Sequence, residues 1–320
     1  MILKTLWSIY RGNFDLYYFT ISQTRLGNWR DLLILRLLEY KHAKCIIHLH
    51  GGYYRYLIDN ICGNFQKKKN YRSIRKLDGC IVLGQSLQKI FSGMIADDRI
   101  FIVPNCVDNQ YILPMSLYDI KIKHLLNDKI LNVLYLSNFI PTKGYREVLQ
   151  IACMFKKNNI NNFHFHFAGK FFDDNEKNYY MKYVEDNKLE SLITYHGIVT
   201  GERKNVLLRN SHIFILLTRY HNEGQPISIL EAMGNAMLVI TTNHAGIPDV
   251  VNDGDNGLVV DKFNIDVNEI YTYLECIYSN RKKLIDVCAN NYSIVVNQYT
   301  EQQYLHNMDM VFKKILENGN

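Results

Sequence analysis

Short apolar runs alternate with amphipathic stretches along the chain, and this alternation constrains the fold more than any other feature of the sequence. Runs such as KCIIHLH (44–50) and AMLVITT (236–242) are apolar at nearly every position. Stretches such as WRDLLILRLLEYKH (29–42) repeat their apolar residues at the spacing of a helix. Because the strands are apolar on both faces and helices lie between them, we predict α/β domains in which helices cover both faces of a parallel sheet.

The alternation falls into two series of predicted strands. The first series lies at 14–22, 44–50, 79–84 and 99–105. The second lies at 130–137, 163–169, 193–197, 211–218, 236–242 and 257–260. Helices are predicted between the strands, with a short one over 85–95 and a long one over 266–291.

A break in the periodicity separates the two series. It lies between Pro104 and Pro114, and a polar stretch continues to Asp128, so we place the domain junction there. The predicted bounds are 1–110 for the first domain, 111–300 for the second and 301–320 for a C-terminal helix that packs back toward the first domain. Since open parallel sheets bind ligands at the carboxyl ends of their strands, two such domains in tandem predict a ligand cleft between them.

Cysteine spacing and hydropathy exclude several classes of protein. The seven cysteines contain no C-x-x-C pair, the spacing that zinc clusters and redox sites use, so we expect reduced thiols that lie mostly in the core. No run of about 18 apolar residues is present, and the N-terminal residues do not have the pattern of a secretory signal. We therefore expect a cytoplasmic protein.

Basic residues are concentrated in one segment, KKKNYRSIRK (67–76), within a chain of net charge +6 at pH 7. Two interpretations remain open: the solvated face of a helix, or a patch that contacts anionic lipid headgroups or phosphates. No nucleic-acid-binding motif accompanies the segment, so nucleic acid is not an expected partner. Under the second interpretation, Lys67, Lys68 and Lys69 contact the membrane, and the protein is peripheral at the inner face of the cell membrane.

Two glutamates mark the strongest candidate for a binding site. Glu223 lies in a polar loop after a predicted buried strand, and Gly224 and Pro226 follow it before a helix that carries Glu231. A strand–loop–helix junction exposes backbone N–H groups and the positive end of a helix dipole, which suits a diphosphate, and Pro226 fits a first helical turn. Carboxylates accept from two sugar hydroxyls at once. Two glutamates alone are ordinary helix-surface residues, but this setting favours a binding site.

The motifs around these glutamates resemble the donor domain of the family 4 retaining glycosyltransferases. The E-x7-E signature of that family is present as EGQPISILE (223–231). Further matching motifs, in the family's order, are LSNFIPTKG (136–144), HFAG (166–169), YHG (195–197), EAM (231–233), VITT (239–242), AGIPDVV (245–251) and NGLVV (256–260). The first domain adds IIHLHGG (46–52) and VPNCVD (103–108). The resemblance covers most of the chain. It implies the GT-B fold, in which two Rossmann-like domains face a cleft.

The resemblance also implies roles in donor binding. Lys143 would hold the donor diphosphate, and Asn138 occupies the position where the family usually has a second cation, an arginine. Glu223 would contact hydroxyls of the transferred sugar, next to the backbone N–H groups of Gly224 and Gln225.

Three further positions complete the implied site. Glu231 would bind the nucleotide ribose, and the loop after Gly197 would lie against the base. His50 would reach the reacting sugar from the first domain, although His48 is an alternative for that role and a structural role for His50 also stays open. The predicted catalytic residues are Glu223, His50 and Lys143. The predicted donor-binding residues are Asn138, Lys143, Gly197, Glu223, Gly224, Gln225, Pro226 and Glu231.

A literal D-x-D motif, Asp253-Gly254-Asp255, raises the question of a divalent metal ion. It lies within NDGDNG, whose composition indicates a turn. We therefore predict a metal-independent, retaining enzyme without a cofactor, in which Lys143 and helix N–H groups neutralise the leaving diphosphate. The resemblance favours attack on the face from which the diphosphate departs, and a covalent intermediate on Glu223 remains open. Neither a G-x-S-x-G elbow nor a Walker P-loop is present, so hydrolase and kinase functions lack support.

The acceptor is indicated by one weaker similarity. GNWRDLLIL (27–35), which contains Arg30, resembles a segment of bacterial polysaccharide and O-antigen transferases, which extend lipid-diphosphate-linked sugars. We therefore expect a lipid-linked glycan acceptor and a role in surface polysaccharide assembly, including lipopolysaccharide. Members of the resembled family usually open with a strand and a glycine-rich loop, whereas Met1 here falls within what resembles a later helix. The resemblance therefore implies that the first domain, of about 105 residues, is shortened by one to two βα units, and three explanations stay open: a true start farther upstream, a trimmed fold or a damaged copy.

Three functions are compatible with these features. The first is a hexosyl- or N-acetylhexosaminyl-transferase, which Lys143, Glu223 and Glu231 favour. The second is a catalytically weak GT-B partner subunit of another transferase, which Asn138 and the short first domain favour. The third is a nucleotide-sugar epimerase, for which the sequence offers no acid/base set.

Overall fold

Two separate sheets, each entirely parallel, form the framework of the protein in a computed structural model that describes residues 2–317. The strands are β1 (Tyr17–Thr20), β2 (Cys45–Leu49), β3 (Gly79–Val82), β4 (Ile100–Ile102), β5 (Leu131–Leu136), β6 (Phe163–Ala168), β7 (Ile193–Tyr195), β8 (Ile213–Leu216), β9 (Leu238–Thr242) and β10 (Gly257–Val260). These bounds lie within the ten strands predicted from the apolar runs.

Helices connect the strands in both sheets. They are α1 (Ile2–Arg11), α2 (Arg25–Tyr40), α3 (Tyr54–Tyr56), α4 (Asn64–Arg75), α5 (Gln85–Gln88), α6 (Met115–Leu125), α7 (Tyr145–Lys157), α8 (Asp174–Asp186), α9 (Gly201–Asn210), α10 (Ile227–Met233), α11 (Val267–Ser279), α12 (Arg281–Gln298) and α13 (Glu301–Glu317). A π-helical turn at Leu57–Ile61 follows α3, and short 3-10 turns lie at Asp97–Arg99, Asn109–Tyr111, Pro141–Lys143 and Ile247–Asp249. Within residues 2–317, none of these helices has the length and apolar character needed to cross a bilayer.

The chain divides into two compact units. The first unit contains residues 2–105, 221–225 and 302–317, and the second contains Cys106–Tyr220 and Pro226–Glu301. The domain bounds predicted from the sequence remain a prediction. The units differ from them most clearly at 221–225, which groups with the first unit although it lies within the predicted second domain.

The first unit is built on a four-stranded sheet in the order β1-β2-β3-β4. Strands β2 and β3 are buried at every position, as expected of strands covered on both faces. Helix α13 covers part of this sheet, because Met308, Val311 and Ile315 pack with Ile46 and Ile81. Each such buried side chain stabilises the unit by roughly 1.5–3 kcal/mol.

The second unit is built on a six-stranded sheet in the order β10-β9-β8-β5-β6-β7. The chain runs outward from β5 through β6 and β7, then returns to the other side of β5 to form β8, β9 and β10. The order therefore reverses between β5 and β8, and the carboxyl ends of strands at such a switch point form the usual ligand site of this class of fold. The loops at 137–144 and 217–220, which follow β5 and β8, lie at this point.

Three predictions about helices were wrong in detail. The polar stretch up to Asp128, for which no helix was predicted, contains α6, whose Lys121 is buried and donates to the backbone carbonyls of Ser211 and Asn235 at 2.6 Å each. A lysine at a buried position interrupts the helical spacing of apolar residues from which the helix could have been predicted. The single helix predicted over 266–291 is α11 and α12, separated at Asn280, whose side chain caps α12. The helix predicted over 85–95 is only the short α5.

The cysteines are free thiols, and most of them are buried.

Candidate functional site

The predicted site residues divide between the two units. The first unit contains His50, Glu223, Gly224 and Gln225, so the E-x7-E signature begins there. The second unit contains the remaining donor-site predictions, Asn138, Lys143, Gly197, Pro226 and Glu231. The two glutamates of the signature are therefore held by different frameworks.

Close backbone contacts hold the first-unit cluster, which we define as His50, Asn105, Glu223, Gly224 and Gln225. The N–H group of Gly52 donates to the carbonyl of Glu223 at 2.7 Å. A Cβ atom on Gly224 would lie 2.1 Å from the carbonyl oxygen of His50, so only glycine fits there. Glu223 is buried, with 8% of its surface exposed.

Asn105 completes this cluster from the loop after β4. Its backbone N–H donates to Oε1 of Gln225 at 2.7 Å, and its Nδ2 donates to the carbonyl of Gln225 at 2.8 Å. Asn105 lies in the motif VPNCVD, but no role was predicted for it from the sequence. The paired amide contacts could not be read from the motif, because the two residues lie 120 positions apart.

Two histidines at the end of β2 stack on each other, with ring centres 4.0 Å apart. His48 is fully buried, and its Nδ1 is hydrogen-bonded to the hydroxyl of Tyr18 at 2.8 Å. Burial, and secondarily His50, lower the pKa of His48 to about 3, so its ring is neutral. His50 is exposed to solvent. Partial desolvation also lowers the pKa of His50, and a hydrogen bond with Asn105 opposes this effect.

The switch point of the second unit carries a second cluster, which we define as Asn138, Lys143, Arg219 and Tyr220. Gly144 adopts φ 83°, and a Cβ there would lie 2.4 Å from the carbonyl oxygen of Leu217, so the loops after β5 and β8 touch. The N–H group of Arg219 donates to the carbonyl of Thr142 at 2.7 Å. Nζ of Lys143 lies 5.0 Å from the ring centre of Tyr220.

This switch-point cluster is cationic and lies at a helix N-terminus. Helix α7 begins two residues after Lys143, and its first-turn N–H groups favour an anion. The guanidinium of Arg219 pairs with Glu147 at 2.7 Å. Asn138 is exposed. Lys143 was predicted from the sequence, but Arg219 was not. Its position, as a basic residue directly after a predicted buried strand, could have indicated it.

Glu231 is held by a third set of contacts, in the same unit. It is 4% exposed on α10, and its Oε1 accepts from Nζ of Lys204 at 2.6 Å. That ammonium lies 4.0 Å from the ring centre of Tyr111. Burial raises the pKa of Glu231, and the hydrogen bond from Lys204 opposes this rise. Neither Lys204 nor Tyr111 was predicted from the sequence to be a site residue.

Residues 119–294, more than half of the chain, match the family model described as glycosyl transferases group 1. The chain belongs to this family. A shorter match, 31% identical over 81 residues, links this chain to a Salmonella typhimurium protein described as the colanic acid biosynthesis glycosyltransferase WcaL. That match spans 24% of the chain and 20% of the relative.

Solved structures confirm the fold of this chain. HepE of Anabaena, solved in complex with UDP, is 14% identical with a TM-score of 0.79, covering 98% of this chain and 82% of HepE. A glycosyltransferase of Rickettsia africae is 19% identical with a TM-score of 0.76, covering 99% and 81%. Sucrose-phosphate synthase of Thermosynechococcus elongatus is 13% identical with a TM-score of 0.78, covering 99% and 78%. The predicted GT-B class, with two parallel-sheet α/β domains, is confirmed.

The remaining predicted donor residues lie in loops of the second unit. Gly197, with φ 67°, accepts a hydrogen bond from the N–H of Gly169 at 2.8 Å, so the loops after β6 and β7 touch. Pro226 is buried and precedes α10, which begins at Ile227. The prediction that Pro226 lies in the first helical turn was therefore wrong by one residue, because the extended backbone of Pro226 does not enter the helix.

The predicted acceptor and membrane residues lie on α2 and α4 of the first unit. Arg30 pairs with the buried Asp31 at 2.7 Å, and Lys67 pairs with Asp59 at 2.9 Å. Lys68 is exposed, and Nζ of Lys69 lies 4.5 Å from the ring centre of Phe65.

The literal D-x-D motif forms a turn. Oδ1 of Asp253 accepts from the N–H of Val259 at 2.9 Å, and Gly254 adopts φ 80°. Over residues 2–317, no group of three histidine, cysteine, aspartate or glutamate side chains is arranged to hold a metal ion. Metal independence stays a prediction.

Proposed function

We propose that this chain transfers a sugar, with retention, from a nucleoside-diphosphate donor to an acceptor glycan. The observation that carries the proposal is the switch-point cluster, where Lys143 stands before the N-terminus of α7 at the reversal of strand order. A diphosphate is the ligand that this combination of lysine, helix dipole and backbone N–H groups suits best. Membership of the family and the UDP and UDP-glucose complexes of HepE support the same donor class.

In this proposal, basic residues bind the diphosphate of the donor, and a carboxylate binds its ribose. Lys143 binds the diphosphate, and Arg219 supplies the second positive charge in place of the arginine that Asn138 replaces. Glu231 accepts from the ribose hydroxyls, and the loop after Gly197 lies against the base. A buried carboxylate suits ribose because it accepts from two neighbouring hydroxyls.

The first-unit cluster acts on the transferred sugar in this proposal. Glu223 accepts from hydroxyls of the hexose or N-acetylhexosamine, next to the N–H groups of Gly224 and Gln225. Of the two stacked histidines, His50 is exposed and His48 is buried, which favours His50 for contact with the sugar.

The reaction needs no metal ion or cofactor in this proposal. The bond from C1 to the diphosphate breaks as the acceptor hydroxyl attacks C1 on the same face, and a phosphate oxygen takes the acceptor proton. Lys143 stabilises the negative charge that develops on the leaving diphosphate. Glu223 as a covalent nucleophile is the competing route, and a trapped glycosyl-enzyme on Glu223 would establish it.

A donor scan tests the proposal. Purified protein is screened for thermal stabilisation by UDP-, GDP- and ADP-sugars and for slow hydrolysis of the stabilising donor, with and without EDTA. We expect one donor class to bind and turn over in both conditions, and turnover to be lost in Glu223→Ala and Lys143→Ala. Well-folded protein that binds no donor would refute the proposal.

We infer that the acceptor binds to the first unit and that it is a lipid-linked glycan of surface polysaccharide assembly. The match to WcaL supports a polysaccharide. Helix α4 supports a membrane surface, because it carries Lys67, Lys68 and Lys69 beside Phe65, which is 66% exposed. The protein then works in the cytoplasm, at the inner face of the membrane.

A vesicle experiment tests this membrane contact. We expect the protein to co-sediment with vesicles that contain phosphatidylglycerol and not with pure phosphatidylcholine, and binding to fall with added salt. Charge reversal at Lys68 should weaken binding, whereas reversal at Lys282, exposed on the second unit, should not. Equal binding to both vesicle types would argue against the cationic face of α4.

A catalytically weak partner subunit is the second candidate, and the exposed Asn138 favours it. The donor scan separates the two functions, since a partner subunit would bind the donor without hydrolysing or transferring it.

A further inference from the structure

Only one of the two carboxylate oxygens of Glu231 has a hydrogen-bond partner among residues 2–317. Its Oε1 accepts from Nζ of Lys204 at 2.6 Å. Among residues 2–317, no hydrogen bond to its Oε2 is present. The ion pair is largely shielded from water, with side-chain exposures of 17% for Lys204 and 6% for Glu231. Oε2 of Glu231 therefore keeps its capacity to accept a hydrogen bond from a ligand.

The position of Lys204 is fixed by Tyr111. The ammonium lies 4.0 Å from the ring centre of Tyr111, at the distance of a cation–π contact. Tyr111 is itself held at both ends: its hydroxyl accepts from the N–H of Gly201 at 3.2 Å, and its carbonyl accepts from Nδ2 of Asn235 at 2.6 Å. A lysine side chain is normally mobile. The contact with the anchored ring of Tyr111 restricts the position of the Lys204 ammonium.

The charge of Lys204 matters because Glu231 is buried. Burial without a partner favours the neutral, protonated acid, which would donate one hydrogen bond in place of accepting two. The ammonium at 2.6 Å favours the carboxylate instead. Ionised acceptors bind hydroxyls more strongly than neutral ones.

We propose that Lys204 is a positioning residue for ribose recognition, which it achieves by holding Glu231 ionised with Oε2 directed to the ribose hydroxyls. This inference rests on the proposed donor function and adds a residue pair to it. Lys204 does not touch the nucleotide. Its effect is specific to the sugar of the nucleotide, because it acts only through the glutamate.

Nucleotide titrations test this assignment. UDP, GDP and ADP, with their 2′-deoxy and 3′-deoxy forms, are titrated calorimetrically into wild type, Lys204→Met, Lys204→Arg and Glu231→Gln. A hydrogen bond to a charged group corresponds to a change of about tenfold or more in Kd. We therefore expect wild type to prefer the ribonucleotide over at least one deoxy form by about that factor.

The role of Lys204 is tested by the ratio of the ribonucleotide affinity to the deoxynucleotide affinity. In Lys204→Met this ratio should fall to roughly one to three, and Lys204→Arg should restore part of the wild-type ratio. In a Glu231→Gln background, Lys204→Met should leave the ratio unchanged, because the residue through which it acts is no longer a carboxylate. Lys282→Met, a change of the same chemical type at an exposed site of the same unit, should preserve the wild-type ratio.

Three results would overturn the inference. If Lys204→Met weakens ribo- and deoxynucleotides equally, Lys204 is only structural. If Glu231→Gln keeps the wild-type preference, Glu231 does not read the ribose. If wild type binds no nucleoside diphosphate, the proposed function fails and the role of Lys204 fails with it. Thermal unfolding of every variant separates a folding defect from these outcomes.

Discussion

The first-unit cluster and the switch-point cluster are built in opposite ways. In the first-unit cluster, backbone atoms touch, and glycine is required at Gly224 because any side chain would meet the carbonyl of His50. In the switch-point cluster, charged side chains extend from loops at a helix N-terminus. The first-unit cluster therefore depends on side-chain volume, and the switch-point cluster depends on charge. Substitutions that change one property should therefore damage the two clusters unequally.

The largest expected effect is the loss of charge at Lys143. Lys143→Ala should lower turnover by about 100- to 1000-fold, the range for removing one stabilising group from a developing charge. Its melting temperature should stay close to that of wild type, since the side chain is partly exposed. Steady-state kinetics with calorimetry measures both, and Lys282→Ala is the control. A large loss of stability instead would mean that this cluster also depends on packing.

A change of volume at Gly224 tests the other side of the comparison. Gly224→Ala places a methyl group 2.1 Å from the carbonyl oxygen of His50, so the free energy of unfolding should fall by about 1–3 kcal/mol. Gly63→Ala is the matched control in the same unit, because a Cβ there meets nothing within 4 Å. Urea denaturation of both variants measures the difference. Equal stabilities would show that the 223–225 segment is not held tightly against 50–52.

Acid should destabilise the first unit through His48. Its pKa is near 6.5 in an unfolded chain and about 3 in the folded one, so its contribution to stability is complete above about pH 6.5 and is lost as the pH falls toward 3. At pH 5 the loss is about 2 kcal/mol, because one pKa unit corresponds to about 1.4 kcal/mol. Denaturation of His48→Gln between pH 4 and 7 should show a shallower dependence on pH. His306→Gln, at an exposed histidine of the same unit, should match wild type.

The smallest expected effect is at Arg219. Arg219→Ala should weaken donor binding by about 3- to 10-fold, less than Lys143→Ala, because Arg219 is shared with Glu147. Glu147→Gln removes the ion pair and leaves the guanidinium, so it should bind the donor as well as wild type or better. If both variants lose donor affinity equally, the pair is structural and Arg219 is not a second phosphate ligand.

Sequence predicted the elements that depend on continuous apolar runs and missed those that depend on pairing across the fold. All ten strands could be predicted, because each lies in a short run rich in apolar, aromatic or β-branched residues. Helix α6 could not, because the burial of Lys121 depends on carbonyl groups about 90 and 114 residues away.

The candidate site shows the same limit. The E-x7-E motif locates Glu223 and Glu231, but nothing in the spacing shows that they belong to different units. Lys204 could not be predicted, since it lies 27 residues from Glu231 on another helix. Asn105 could be noticed within its motif, but its role depends on the distant amide of Gln225.

Helix α13 has a consequence for the order in which the protein acquires its structure during synthesis. The core of the first unit needs Met308, Val311 and Ile315, which the ribosome adds only after the whole of the second unit. Domains fold as units while the chain emerges, and contacts between distant residues form late. We therefore expect the second unit to fold first, and the nascent N-terminal residues to wait with Ile46 and Ile81 uncovered until α13 leaves the exit tunnel. During that interval this stretch is a natural substrate for chaperones that bind apolar segments.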